Sequence, residues 1–98
     1  MTGIPERKVV LITGASRGIG RATAVLAALR GWDVGVNYAR DAVAAEATAQ
    51  AVRDAGGRAC IVAGDVSDEA DVVAMFDCVG ASLGRLDELV NNAGIVAP

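Results

Sequence analysis

The chain has 98 residues, of which 53% are hydrophobic, only 3% aromatic and 21% charged, with a formal net charge of −3. A chain this short forms one domain at most and hides only about 60–70% of its unfolded surface, so any core must be aliphatic and closely layered. The charge content argues against a disordered tail, and nine Arg/Lys against twelve Asp/Glu exclude a generic basic nucleic-acid surface, though not a local phosphate site.

Val9-Val-Leu-Ile12 is a continuous β-branched and aliphatic run, the pattern of a strand covered on both faces. Gly14 to Gly20 interrupts it. Arg21 to Arg30, rich in Ala and Leu, then reads as a helix stopped by Gly31. Asp33-Val-Gly-Val-Asn-Tyr38 is the second strand. Asp41 is an N-cap candidate for a helix reaching about Ala55, closed by Gly56-Gly57, with Ala45, Thr48, Val52 and Ala55 as its thin inner stripe.

Ala59-Cys-Ile-Val-Ala63 is the third strand. Ser67 is expected to cap a helix with Asp68, Glu69 and Asp71 in its first turn, where negative charge meets the positive end of the helix dipole. Its inner face is expected at Val72, Phe76, Val79 and Leu83, and Gly84 ends it. The fourth strand runs from about Glu88 to Asn91.

The order β-α-β-α-β-α-β, with crossovers long enough for parallel pairing, predicts an open, doubly wound α/β sheet in strand order 3-2-1-4. Strand 4 would begin the second half of such a sheet and leave Leu89 and Val90 on an open edge. Residues 1–98 are therefore expected to be the N-terminal part of a longer protein, the second half of the sheet incomplete.

With no His and two Cys, a His-rich zinc site and a disulfide framework are both disfavoured, and no metal site is expected. Cys60 and Cys78 lie in apolar runs and read as small buried thiols of a reducing compartment. No stretch approaches the roughly 20 apolar residues that span a bilayer. The N-terminus lacks a signal-peptide pattern, so a cytoplasmic protein with no membrane or nucleic-acid partner is expected.

Thr13-Gly-Ala-Ser-Arg-Gly-Ile-Gly20 lies between an apolar strand and an Ala-rich helix. Gly14 permits a tight exit from the strand, Gly18 leaves space for a diphosphate against the backbone, and Gly20 lets helix and strand pack closely. Free N–H groups of the first helical turn, with the dipole, then form an anion site. No Gly-Lys-[Ser/Thr] follows, so this is not a Walker A loop.

Thr13-Gly14-x-x-x-Gly18-x-Gly20 resembles the cofactor motif of the short-chain dehydrogenase/reductase family. Asp65-Val66, after strand 3, is similar to the family's Asp-Val pair beside the adenine ring. Asn91-Asn-Ala-Gly94, after strand 4, matches its Asn-Asn-Ala-Gly motif, and together the resemblance covers essentially the whole chain. It implies a Rossmann-type fold and a nicotinamide cofactor held by Gly14, Ser16, Arg17, Gly18, Ile19, Gly20, Tyr38, Arg40, Asp65, Val66, Asn92, Ala93 and Gly94. It implies too that the Thr13 hydroxyl ties the glycine loop to the Asn-Asn-Ala-Gly segment. Ligands of doubly wound sheets sit where strand order reverses, here between strands 1 and 4, so the two loops should face each other across one crevice.

A preference for NAD needs a carboxylate near the end of strand 2 for the ribose 2′-hydroxyl. That position is Tyr38, whose ring could stack on adenine or simply pack, while Arg40 and Arg17 could bind a 2′-phosphate. NADP(H) is the expected cofactor. Two alternatives stay open: both Arg are ordinary solvated charges, or Asp41 engages the ribose and favours NAD.

The family's chemistry needs a Tyr-x-x-x-Lys pair, which polarises a substrate oxygen as hydride moves to or from nicotinamide. The single Tyr38 and single Lys8 do not form it, since Ala42 follows Tyr38 by four residues. Ser16, Ser67 and Ser82 sit in the loop, at a cap and on a helix, and without His no Ser-His-Asp triad exists. No catalytic residue is assigned, and the chain alone is expected to reduce no ketone. The leading expectation is the cofactor half of an enzyme interconverting alcohols and ketones, from the branch holding ketoacyl-carrier-protein reductases and sugar dehydrogenases. Its small-molecule substrate would be bound by a downstream part, and the parent is expected to be a homo-oligomer. The alternatives are a non-catalytic dinucleotide-binding module or sensor, and, disfavoured by Asn-Asn-Ala-Gly, a methyltransferase.

Overall fold

The computed structural model describes residues 7–92. Strand and helix alternate in it: β1 (Val9–Ile12), α1 (Gly18–Leu29), β2 (Asp33–Tyr38), α2 (Ala42–Asp54), β3 (Ala59–Ala63), α3 (Glu69–Leu83) and β4 (Glu88–Val90). The strands form one parallel sheet in the order β3-β2-β1-β4, the doubly wound arrangement that the alternation predicts. Val10 lies between Val34 and Glu88, and Ile12 between Val36 and Val90. All four strands therefore end at one edge of the sheet, which is where Thr13, Tyr38, Gly64 and Asn91 lie.

Strand pleating sends neighbouring residues to opposite faces, and β1 uses both. Val10 and Ile12 join Ala24, Ala28, Ala45, Ala49 and Val52 under α1 and α2, whereas Val9 and Leu11 join Met75, Val79 and Leu83 under α3. Burying each such Val, Leu or Ile contributes about 1.5–3 kcal/mol. The scarcity of aromatic residues brings helix and sheet close together. A Cβ on Gly35 would stand 2.9 Å from Val79 Cγ2, so α3 rests almost on the β2 backbone.

Several boundaries differ from the sequence reading. α1 starts at Gly18 rather than Arg21, because the Arg17 carbonyl already accepts the Arg21 N–H and opens the helix there. α3 is capped by Asp68, whose Oδ1 accepts the N–H groups of Ala70 and Asp71, whereas the Ser67 hydroxyl turns back to Asp65. Met75 takes the inner position expected for Phe76, which is 39% exposed beside the uncovered side of β4. In α2 Ala49 is buried and Ala55 only packs at the rim. β4 stops at Val90, one residue short of Asn91. Cys60 is half-buried and Cys78 exposed, so Cys78 is not the buried thiol that its apolar neighbours implied. Leu89 and Val90 are exposed on the free edge, as expected.

The N-terminal end of the strands is tied by charge. Asp33 is fully buried at the start of β2. Its Oδ1 accepts from Arg7 Nε at 2.7 Å and from the Arg58 backbone N–H at 2.8 Å, and its Oδ2 from Arg58 Nε at 2.9 Å. Burial pushes this carboxyl up, but the Arg58 amide and the two guanidiniums outweigh it and hold the group below the usual carboxylate range. The hollow of about 270 Å³ at this end, among Arg7, Lys8, Arg58 and Arg85, is thus remote from the glycine loop.

Candidate functional site

The three helices begin differently. α2 and α3 are capped by Asp41 and Asp68, each accepting main-chain N–H groups. α1 begins at the extended residue Arg17, with no side-chain cap and no acidic residue in its first turn. It forgoes about 1 kcal/mol of capping stabilisation. The first helical bond in it is Arg21 N–H to the Arg17 carbonyl, and the amides of Gly18, Ile19 and Gly20 donate to no acceptor among the described residues. Three open amides at the positive end of a helix dipole are an anion-binding arrangement.

Backbone geometry keeps that end clear. Gly14 and Gly18 have φ of 61° and 62°, left-handed values that cost a side-chain-bearing residue about 1–2 kcal/mol. A Cβ at Gly18 would meet nothing within 4 Å, so the space before the amides is open. Gly20 is the reverse: its Cβ would stand 2.3 Å from the Gly14 carbonyl oxygen and 2.7 Å from Asn92 Nδ2. The bend therefore closes tightly on itself and on the segment after β4.

That second contact is a hydrogen-bonded joint. Thr13 Oγ1 accepts the Asn92 N–H at 2.8 Å and lies 3.1 Å from Asn91 Oδ1, and Asn92 Nδ2 donates to the Gly14 carbonyl at 3.2 Å. Thr13 thus ties the glycine loop to the start of the Asn-Asn-Ala-Gly segment, the link that the resemblance implied. Ala93 and Gly94 lie outside the described residues.

The other expected site residues surround this bend. Ser16 is half-buried, and its carbonyl accepts from the Thr48 hydroxyl of α2 at 3.3 Å. The Ile19 side chain is 71% exposed. Tyr38 is half-buried and packs against the core beneath α1 and α2. Arg40 is exposed and forms no ion pair among the described residues. Arg17 donates to Asp41 Oδ2 at 2.6 Å. Asp65 is exposed, and its Oδ1 accepts from both the hydroxyl and the amide of Ser67, which hold its carboxyl below the usual range. Val66 packs toward α3 and lines a cleft of about 200 Å³ with Thr13, Phe76, Leu89 and Asn91.

Sequence reasoning missed Asn37. This buried side chain accepts the Gly14 N–H at 3.1 Å and donates to the carbonyls of Val62 and Gly64, both at 3.2 Å. It fastens the glycine loop to the loop carrying Asp65 and Val66. The available signal was an amide near the end of a strand with an apolar interior, where a buried polar group must find partners.

The model of the short chain dehydrogenase family matches residues 8–98. The chain belongs to the short-chain dehydrogenase/reductase family. Its relatives include "Uncharacterized oxidoreductase YgfF" of Escherichia coli K12, 48% identical over 88 residues that make up 90% of this chain and 36% of that protein. "Short-chain dehydrogenase/reductase homolog YusS" of Bacillus subtilis 168 is 42% identical over 88 residues, 90% of this chain and 81% of that one. A putative dehydrogenase from Burkholderia cenocepacia with bound NADP superposes with a TM-score of 0.81 at 35% identity, over 87% of this chain and 33% of the other. This chain spans about a third of the length of the first curated relatives that it matches. The family is one of oxidoreductases that bind NAD(P). No helix among the described residues is long and apolar enough to cross a membrane.

Proposed function

We propose that this chain is the cofactor-holding half of an NADP(H)-dependent short-chain dehydrogenase/reductase that interconverts an alcohol and a ketone. The observation that carries the reading is the uncapped start of α1, with the open amides of Gly18, Ile19 and Gly20 beside the Thr13–Asn92 joint. These residues suit a dinucleotide: the amides take the diphosphate, and Gly18 keeps side chains out of its way. By the family resemblance, Asp65 and Val66 would serve the adenine, and Asn92, with the sequence positions Ala93 and Gly94 that follow it, the nicotinamide ribose. When bound, the cofactor supplies hydride exchange at its nicotinamide ring.

Tyr38 stands where a carboxylate would select NAD, and Arg40, exposed and without an ion pair among the described residues, would meet a 2′-phosphate. One observation favours NAD instead, the engagement of Arg17 by Asp41. Lys8 precedes β1 while Tyr38 closes β2, so the single Tyr and single Lys of this chain lie at opposite ends of the strands and form no Tyr–Lys pair. This reading assigns proton transfer and substrate binding to a longer parent protein, in keeping with the third of their length that this chain spans in its first relatives, and takes that parent to be a homo-oligomer. Free cysteines fit a reducing cytoplasm.

Fluorescence titration with NADPH and NADH tests the reading. NADPH should bind more tightly, and Arg40→Ala should weaken NADPH and spare NADH. Equal or tighter binding of NADH, or an unchanged NADPH affinity in Arg40→Ala, would overturn the NADP assignment. Ketone reduction by the 98-residue chain alone would overturn the division of labour.

A further inference from the structure

We infer that Asp41 is a latch on Arg17, a positioning residue that a 2′-phosphate must displace and that thereby sets how strongly the site prefers phosphorylated adenosine. The inference rests on the NADP reading and adds a residue that opposes it.

The Asp41 carboxylate has two tasks. Oδ1 accepts the Ala44 N–H at 2.9 Å and caps α2, while Oδ2 accepts from the Arg17 guanidinium at 2.6 Å. Arg17 is the residue at which the glycine bend enters α1, so this bond spans from that bend to the helix following β2. The first turn of α2 carries no acidic residue, which leaves Asp41 as the one anion at that helix start. Side-chain exposures of 72% for Arg17 and 44% for Asp41 put the pair in reach of solvent and of an incoming anion.

An exposed pair of this kind is worth up to about 1 kcal/mol, a cost that the incoming phosphate meets before it gains Arg17. A phosphate dianion gives the guanidinium a stronger, bidentate partner than a single carboxylate oxygen does. Asp41 nevertheless remains nearby after it lets go, because its other oxygen is fixed by Ala44. The phosphate then gains Arg17 and keeps a carboxylate neighbour that repels it. A ribose 2′-hydroxyl has no charge to repel and can donate to that same carboxylate. Asp41 therefore disfavours the 2′-phosphate relative to the 2′-hydroxyl, and Arg17 and Arg40 favour it.

Asp41→Asn separates the two tasks, since Asn caps helices about as well as Asp but carries no charge. The probes are adenosine 2′,5′-bisphosphate and adenosine 5′-monophosphate, titrated calorimetrically into the 98-residue chain. In Asp41→Asn the bisphosphate should bind about fivefold to tenfold more tightly, with the monophosphate changed by less than twofold. In an Arg17→Met background the same substitution should give less than half of that gain. An unchanged or reduced bisphosphate affinity in Asp41→Asn would overturn the latch, as would an equal gain with and without Arg17. Failure of the parent chain to bind either nucleotide would instead overturn the cofactor reading beneath it. Thermal unfolding of Asp41→Asn at the parental temperature checks that the cap is intact, and Asp41→Glu supplies a second variant that keeps the charge and should keep the weaker bisphosphate affinity.

Discussion

The side-chain oxygen of Asn37 accepts the main-chain N–H of Gly14 at 3.1 Å, so the strand beside β1 holds the first residue of the glycine bend. Its amide nitrogen reaches the carbonyls of Val62 and Gly64 on the other side. One buried side chain thus fixes the spacing of two loops that the proposed function assigns to the diphosphate and the adenine.

Asn37→Ala should destabilise the fold by about 1–3 kcal/mol, since it leaves a donor and two acceptors to find other partners. Hydrogen exchange reads the local effect. The Gly14 amide should lose protection, whereas the Ala15 amide, which donates to the Asn37 main-chain carbonyl at 2.9 Å, should keep it. Equal loss at both amides would show that the whole bend had moved.

Gly18→Ala and Gly20→Ala should fail for different reasons. At Gly18 space is open and the penalty is conformational, about 1–2 kcal/mol. At Gly20 the methyl group would meet the Gly14 carbonyl and Asn92 Nδ2, and the forced shift should cost about 1–3 kcal/mol. Chemical denaturation gives the two costs. Chemical shifts of Asn92 should change in Gly20→Ala and stay constant in Gly18→Ala.

Asp33 should make stability depend on acid. Its folded carboxyl lies below the unfolded value of about 3.9, so its contribution is complete above that value and is lost as pH falls through the lower, folded one. At pH 7, Asp33→Asn should cost roughly 2–3 kcal/mol, less than a fully buried pair because Arg7 and Arg58 are partly exposed. The gap between variant and parent should narrow below about pH 4. Urea unfolding across pH 2.5–8 (about that span) measures it.

Cys78 should be alkylated well before Cys60. Burial and the neighbouring Cys78 push the Cys60 thiol up, which lowers its thiolate fraction, while Cys78 is exposed on α3. Mass spectrometry of the native chain treated with iodoacetamide at pH 8 should find one rapid modification, mapped to Cys78.

Most of the fold was legible because its signals are local. β-branched runs, Ala-rich stretches and glycine punctuation give the order of elements, and that order leaves few ways to wind a parallel sheet. The glycine bend was legible for the same reason. The misread positions depend on neighbours distant in sequence. Whether Met75 or Phe76 faces inward is decided by how α3 crosses β2 and β3; the cap at Asp68 is the local exception, since the Ser67 hydroxyl is taken by Asp65 two residues back. Asn37 and Asp33 stand near opposite ends of one strand, but the partners named above lie 23 to 27 residues away, beyond any periodic pattern.

β1 feeds two separate cores with four residues, Val10 and Ile12 to one and Val9 and Leu11 to the other. Its length consequently acts as a ruler. Inserting a single amino acid ahead of Gly14 would exchange the occupants of both layers and push the amide cradle one step out of phase with Asn37. Natural variation in chains built this way should spare the interval from Val9 to Gly14 even where side chains along it change freely.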